Sequence, residues 1–86
     1  MVINGKLLKN NRIIAMNQVE NTDDCLNMTR QLESCLLELC KVFNIPITIW
    51  MSKNTKEFVQ FKKTVFTSEQ FIENVFFDRF VIELDH

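Results

Sequence analysis

With 86 residues, 47% of them apolar, and a net charge of −1, the chain suits one domain with a modest core and lacks the charge for bulk electrostatic binding of nucleic acid. No apolar run approaches the roughly 20 residues of a membrane-spanning helix, and the residues at 1–8 are too polar for a signal peptide. Three cysteines cannot all pair within one chain, so a cytoplasmic protein with reduced thiols, no membrane contact and no cofactor is expected.

Residues 2–8 and 12–19 are rich in Val, Ile and Leu and flank Lys9-Asn10-Asn11, which predicts a β-hairpin. Asn tolerates the positive φ of a two-residue turn. With Asn10-Asn11 as that turn, Leu7 falls opposite Ile14 and Gly5 opposite Met16, so that Ile3, Leu7, Ile14 and Met16 share a face. Gly5, the single glycine, marks either a bulge or the close approach of a packed helix.

Residues 21–43 predict a long helix around which the rest packs. At about 100° per residue, Cys25, Met28, Leu32, Cys35, Leu36, Leu39 and Phe43 form one stripe, opposite Asn27, Arg30, Gln31, Ser34, Glu38 and Lys41. Asn21 or Thr22 caps its start, and Asp23 and Asp24 face the positive end of the dipole. Asn44 suits the left-handed closing position, and Pro46 cannot continue the helix.

Beyond the helix, Ile47, Ile49 and Met51 alternate with Thr48 and Trp50, as in a short strand or an extended connector held against the core. Ser52 or Asn54 then caps a second helix reaching about residue 63, and Thr67 with Gln70 has the spacing of a capping box that opens a short helical turn. Residues 76–84 predict the last strand, with Phe76, Phe80, Ile82 and Leu84 on one face and Phe77, Arg79, Val81 and Glu83 on the other. The expected fold is α+β in a single domain over 1–86: an N-terminal hairpin, one long amphipathic helix, short helical segments and a C-terminal strand, in a small antiparallel or mixed sheet packed on the helix. The last strand belongs beside the first, in order 2-1-3, which leaves the hairpin's outer edge open.

The stretch Ile45-Pro46-Ile47-Thr48-Ile49-Trp50-Met51-Ser52-Lys53-Asn54-Thr55-Lys56-Glu57-Phe58, followed by Thr67-x-x-Gln70-Phe71-Ile72-Glu73 and Phe77-Asp78-x-Phe80-x-Ile82-Glu83-Leu84, resembles a group of small uncharacterised proteins of Gram-positive anaerobic bacteria. The resemblance covers the second half of the chain and, more loosely, the hairpin. It implies a self-standing small domain and carries over no activity or site residues.

Residue types that carry chemistry are sparse. The single histidine, His86, is the last residue and a poor source of a catalytic dyad or a metal site. Cys25, Cys35 and Cys40 lack the Cys-x₂-Cys spacing of zinc sites and read as packed thiols. One glycine cannot build a phosphate loop. No catalytic, cofactor-binding or metal-ligating residue is therefore assigned, and the chain is not expected to be an enzyme.

Charge nevertheless alternates along the chain: +3 over 1–19, −3 over 20–45, +3 over 46–66 and −4 over 67–86. Neighbouring elements that complement each other at the surface account for this pattern. Within 50–63, Trp50, Lys53, Lys56, Phe58, Phe61, Lys62 and Lys63 interleave basic and aromatic residues, as a single-strand or RNA surface requires. Four lysines without an arginine lack the bidentate contact favoured at specific sites.

The expected function is non-enzymatic protein–protein contact, as a modulator or small subunit of a larger bacterial assembly. Trp50, Lys53, Lys56, Lys62 and Lys63 are candidate contacts. One long helix covers only one sheet face, so the second, at Phe77 and Val81, is expected to be covered by a second copy in a homodimer or else by the segments between Lys53 and Ile72. The alternative is a nucleic-acid-linked role, by direct binding through 50–63 or as a phage-type, anti-CRISPR-like inhibitor of a nucleic-acid-handling enzyme.

Overall fold

The computed structural model describes residues 1–85, and His86 lies outside them. Two asparagines make the hairpin. Asn10 and Asn11 take positive φ, 53° and 64°, as a type I′ turn requires, and join β1 (Val2–Lys9) to β2 (Arg12–Glu20). The register expected from that turn holds for Lys9 opposite Arg12 and for Leu8 opposite Ile13, then shifts: Leu7 faces Ala15, because Ile14 is an unpaired extra residue. One inserted residue exchanges the faces of all that follow it. Met16 is therefore opposite Lys6 rather than Gly5, and it is exposed together with Ile13 and Ile14. Ala15, Asn17 and Val19 join the face of Leu7, Gly5 and Ile3 instead.

The long helix, α1 (Met28–Phe43), starts seven residues later than position 21. The reason is local. The Asn21 side chain accepts from the Asp23 N–H at 2.9 Å, and Asp23 accepts from the Cys25 N–H at 3.0 Å. These side chains offer the backbone a turn in place of a helix. Asn27 is the true cap, accepting from the Arg30 N–H at 2.9 Å. Cys25 and Met28 consequently leave the predicted stripe for solvent, and Cys40 joins Cys35, Leu36 and Leu39 as a buried member. The closing end is as read: Asn44 is left-handed, and the Ile45 N–H reaches back to the Cys40 carbonyl at 2.9 Å.

The second helix, α2 (Ser52–Phe61), is capped by neither Ser52 nor Asn54. Met51 holds the cap position, and Asn54 accepts its N–H at 2.9 Å from inside the first turn. Lys62, at φ 59°, reverses the chain into a strand the sequence reading lacks, β3 (Lys63–Thr67). A 3-10 turn, Ser68–Gln70, follows and carries half of the predicted capping box, with the Thr67 N–H donating to Gln70 at 3.2 Å. β4 (Arg79–Asp85) closes an antiparallel sheet of order β2-β1-β4-β3. The last strand does lie beside the first, and β3 adds the second edge.

Both helices lie on one face of this sheet. Gly5 and Thr64 flank Ile82 from opposite sides in one ladder row. α1 stands over Gly5, where an added Cβ would be 2.9 Å from Leu39, and α2 reaches Thr64 through a 2.7 Å hydrogen bond from Asn54. Ile3, Leu7, Phe66, Phe80 and Ile82 fill the core between the layers. An aromatic chain crosses it: Phe43 to Phe80 at 5.9 Å, Phe80 to Phe66 at 5.6 Å and Phe66 to Trp50 at 5.7 Å between ring centroids.

Two assignments in 76–84 are corrected here. Regular pairing begins only at Arg79, so alternation does not extend back through Phe76 and Phe77. Phe77 is 2% exposed and its ring meets Phe71 at 5.2 Å inside the same core, while Phe76 is the exposed one. Val81 does lie on the far face, between Lys6 and Val65 in its row, but it is only 8% exposed. Asn4, Lys6, Gln18, Lys63, Arg79 and Glu83 make that face largely polar. Among the described residues no helix is long and apolar enough to cross a membrane.

Candidate functional site

The residues singled out between 50 and 63 do not converge. Lys53 and Lys56 are exposed, one turn apart on α2, whereas Lys62 occupies the turn and Lys63 opens β3 on the far face, opposite Glu83. Phe58, on the same helix, is buried, and Phe61 is exposed near its end. The basic and aromatic residues interleave in sequence and disperse in space. Phe77 and Val81 are withdrawn from solvent as described above.

Trp50 takes a different place from that of an exposed anchor. Its ring is half-buried against Phe58 and Phe66, and its Nε1–H donates to Thr55 Oγ1 at 2.8 Å. The connector 45–51 is extended and makes a single antiparallel bridge, Thr48 to Phe71, with the Ile49 N–H donating to the Gln70 carbonyl at 2.8 Å. Its alternation is real, but Thr48 and Trp50 turn inward and Ile47, Ile49 and Met51 outward. A buried threonine is tolerated because its hydroxyl reaches the Gln70 carbonyl at 3.5 Å.

That inversion makes Trp50 the floor of an apolar groove. Two adjoining hollows of about 390 and 190 Å³ share Thr29, Leu32 and Trp50 in their walls. Leu36, Leu37 and Ile47 line the larger, and Met28, Phe58 and Val59 the smaller. Met28, Leu37, Ile47 and Val59 are each between 43% and 69% exposed. Glu33 stands in the α1 wall, and Lys53 and Lys56 lie on the exposed side of α2. Apart from Trp50 and Phe58, sequence reasoning assigned the groove no role. One signal was present: Leu37 belongs neither to the buried stripe of the helix nor to its polar face.

Below the groove lies a polar network that the sequence reading also missed. Asn54, fully buried, donates to Thr64 Oγ1 at 2.7 Å and to the Val65 carbonyl at 3.1 Å. Its oxygen accepts from the Met51 N–H and from Gln70 Nε2, the latter at 3.0 Å. Thr64 donates to Glu57 at 2.6 Å, and Gln70 donates again to the Ile49 carbonyl at 3.0 Å. Every buried side-chain nitrogen and oxygen among the described residues has a partner. A saturated network of this kind fixes one arrangement of connector, α2, β3 and 3-10 turn, and so holds the groove floor in shape.

Cys35 and Cys40 are buried on α1 and separate from exposed Cys25. Burial pushes both thiols above the ordinary thiol value, opposed at Cys35 by the charged N-terminus and at Cys40 by a hydrogen bond with the Thr48 backbone. Raised thiols are poor nucleophiles and poor metal ligands. No family model matches this chain, and comparison with curated proteins and with solved structures likewise finds no match.

Proposed function

We propose that the chain acts through protein–protein contact, as a modulator or small subunit of a larger bacterial assembly, and that the groove between α1 and α2 receives an amphipathic helix of the partner. The observation that carries this reading is the row of exposed apolar side chains, Met28, Leu37, Ile47 and Val59, around an immobilised tryptophan. Aromatic anchors ringed by apolar contacts are where interfaces concentrate their energy. The α1 wall from Met28 to Leu37 spans about 14 Å at 1.5 Å per residue, enough for three anchors at helical spacing. Glu33 on one wall, with Lys53 and Lys56 beside the other, favours a partner helix that is basic toward α1 and acidic toward α2.

The test is selection of displayed peptides on the wild-type chain, with counter-selection on Leu37→Glu. Enrichment of helical peptides with two or three apolar anchors, lost on the variant, supports the reading. Equal enrichment on both chains, or none on either, removes the groove as the contact. Affinity capture from the native cells with the same two baits then identifies the partner.

A further inference from the structure

The two edges of the sheet are built differently. β3 has five residues and starts with Lys63, directly after Lys62, a charged beginning that discourages pairing with another strand. β2 has nine residues and carries charge only at Arg12 and Glu20. Between them Ile13, Ile14 and Met16 are exposed, with no proline and no charged residue. Beyond the bulge at Ile14, residues 15–19 carry neither charge nor proline, and an edge without that protection is a template for another strand.

The hydrogen-bond phase of the hairpin shows which backbone groups this edge offers. Met1 and Asn21 exchange both N–H to carbonyl bonds, each at 2.8 Å. In an antiparallel ladder such pairs alternate with unbonded ones. Ile3 with Val19 and Gly5 with Asn17 are therefore the bonded pairs, and Met16, Gln18 and Glu20 direct their N–H and carbonyl groups away from β1. Gln18 agrees: its N–H is held at 2.7 Å by the side chain of its own neighbour, Asn17. Met16 and Glu20 form the open ladder with Gln18, whose N–H exchanges the Asn17 side chain for the incoming strand.

We infer that β2 pairs antiparallel with β2 of a second copy, related by a two-fold axis within Met16–Gln18, to give one continuous eight-stranded sheet. Charge selects both the occupant and its direction. The turn end of the hairpin is basic, with Lys9 and Arg12 paired across it, and the other end is acidic, with Glu20, Asp23 and Asp24. An antiparallel copy sets each basic end beside the other's acidic end; a parallel copy sets like beside like. Two-fold symmetry satisfies both ends with a single surface. The bulge at Ile14 confines regular pairing to the part of β2 beyond it. Neither the groove nor Val81 takes part, so this contact stands independently of the peptide-binding reading.

Two substitutions separate the edge from the fold. Gln18→Pro removes an N–H that β1 does not use, and proline is tolerated on edge strands in that position. With the axis at Asn17, Met16→Glu faces Lys6 within its own chain but sets two carboxylates diagonally across the seam on one face of the sheet. Sedimentation of the full chain from micromolar to near-millimolar concentration is expected to show a dimer that weakens with added salt. Both variants should sediment as folded monomers, and Leu37→Glu should remain dimeric. Amide exchange on unsubstituted protein gives a second readout, with protection of Met16, Gln18 and Glu20 rising with concentration. A monomer at every concentration, a dimer that survives both edge variants, or exchange at these amides independent of concentration overturns the inference.

Discussion

The close approach of α1 to Gly5 predicts a definite stability effect. A Cβ at Gly5 would stand 2.9 Å from Leu39 Cδ2, 3.1 Å from Leu39 Cδ1 and 3.2 Å from Phe43 Cε2. Carbon atoms prefer about 3.5–4.0 Å, so Gly5→Ala must displace both side chains by several tenths of an ångström. Leu39 is fully buried and has nowhere to go without moving its neighbours; Phe43 is half-buried but is seated edge-on against Phe80. Overpacking of this kind costs about 1–3 kcal/mol. Replacing glycine also narrows the unfolded ensemble, which returns about 0.4–1 kcal/mol. The net expectation is a loss of about 0–2.6 kcal/mol, centred on about 1.3 kcal/mol, which lowers Tm by about 5–10 °C for a domain of this length.

Urea unfolding of four proteins tests the cause as well as the size: wild type, Gly5→Ala, Leu39→Ala and the double variant. Leu39→Ala alone leaves a cavity and costs about 2–5 kcal/mol. In its presence the added methyl group has room, so the double variant should be more stable than the two single losses predict by about 1 kcal/mol or more. A stabilising Gly5→Ala, or strictly additive losses, refutes the contact between α1 and this strand.

Other perturbations have equally definite outcomes. Asn54→Ala strands partners in the buried network and should cost more than about 2 kcal/mol by urea unfolding, while Gln60→Ala on the exposed side of the same helix stays within about 0.5 kcal/mol. Leu36→Ala should cost about 2–5 kcal/mol and Ser34→Ala little, and equal melts would show that the α1 stripe is misplaced. A maleimide should label Cys25 quickly in native protein, and Cys35 and Cys40 only in denaturant. Because burial raises both buried thiols, the unfolded chain loses those protons first as pH rises. Their contribution to stability is therefore complete below about pH 8.5, the ordinary thiol value, and is lost above it until the buried thiols themselves ionise. Melts across this range should show a steeper alkaline decline for wild type than for Cys40→Ala.

What the sequence made legible follows from which physics is local. The Asn10-Asn11 turn, the Asn44 stop and the half of a capping box at Thr67 and Gln70 each depend on a few adjacent residues, and each appears where it was read. The start of α1 was misplaced because Asn21 and Asp23 are equally good at capping a helix and at closing a turn, and the choice rested on Asn27. β3 escaped notice because Lys62, not a glycine or an asparagine, adopts the left-handed reversal. The groove was illegible for a further reason: alternation along 47–51 announces two faces, but not which one the core takes. Periodicity favours the isoleucines, yet the hydrogen bonds of Thr48 and Trp50 and the aromatic contacts of the tryptophan draw the opposite face inward.

The bulge at Ile14 ties these outcomes together. Counted from the turn without it, Met16 and Ile14 would lie on the helix side, Met16 directly across from Gly5. That row is the one α1 approaches so closely that even a methyl group does not fit on Gly5. A methionine beside it would hold the helix off the sheet and open the core around Leu39. Inserting one residue places Ala15, Asn17 and Val19 on that side instead, smaller groups that let α1 come down onto the hairpin. The displaced apolar side chains do not vanish; they move to the free edge and the far face. The packing that brings α1 onto Gly5 is thus the same packing that leaves Ile14 and Met16 exposed along β2, beside an Ile13 that the turn register already faces outward, so the exposed edge is in part a consequence of how the core closes.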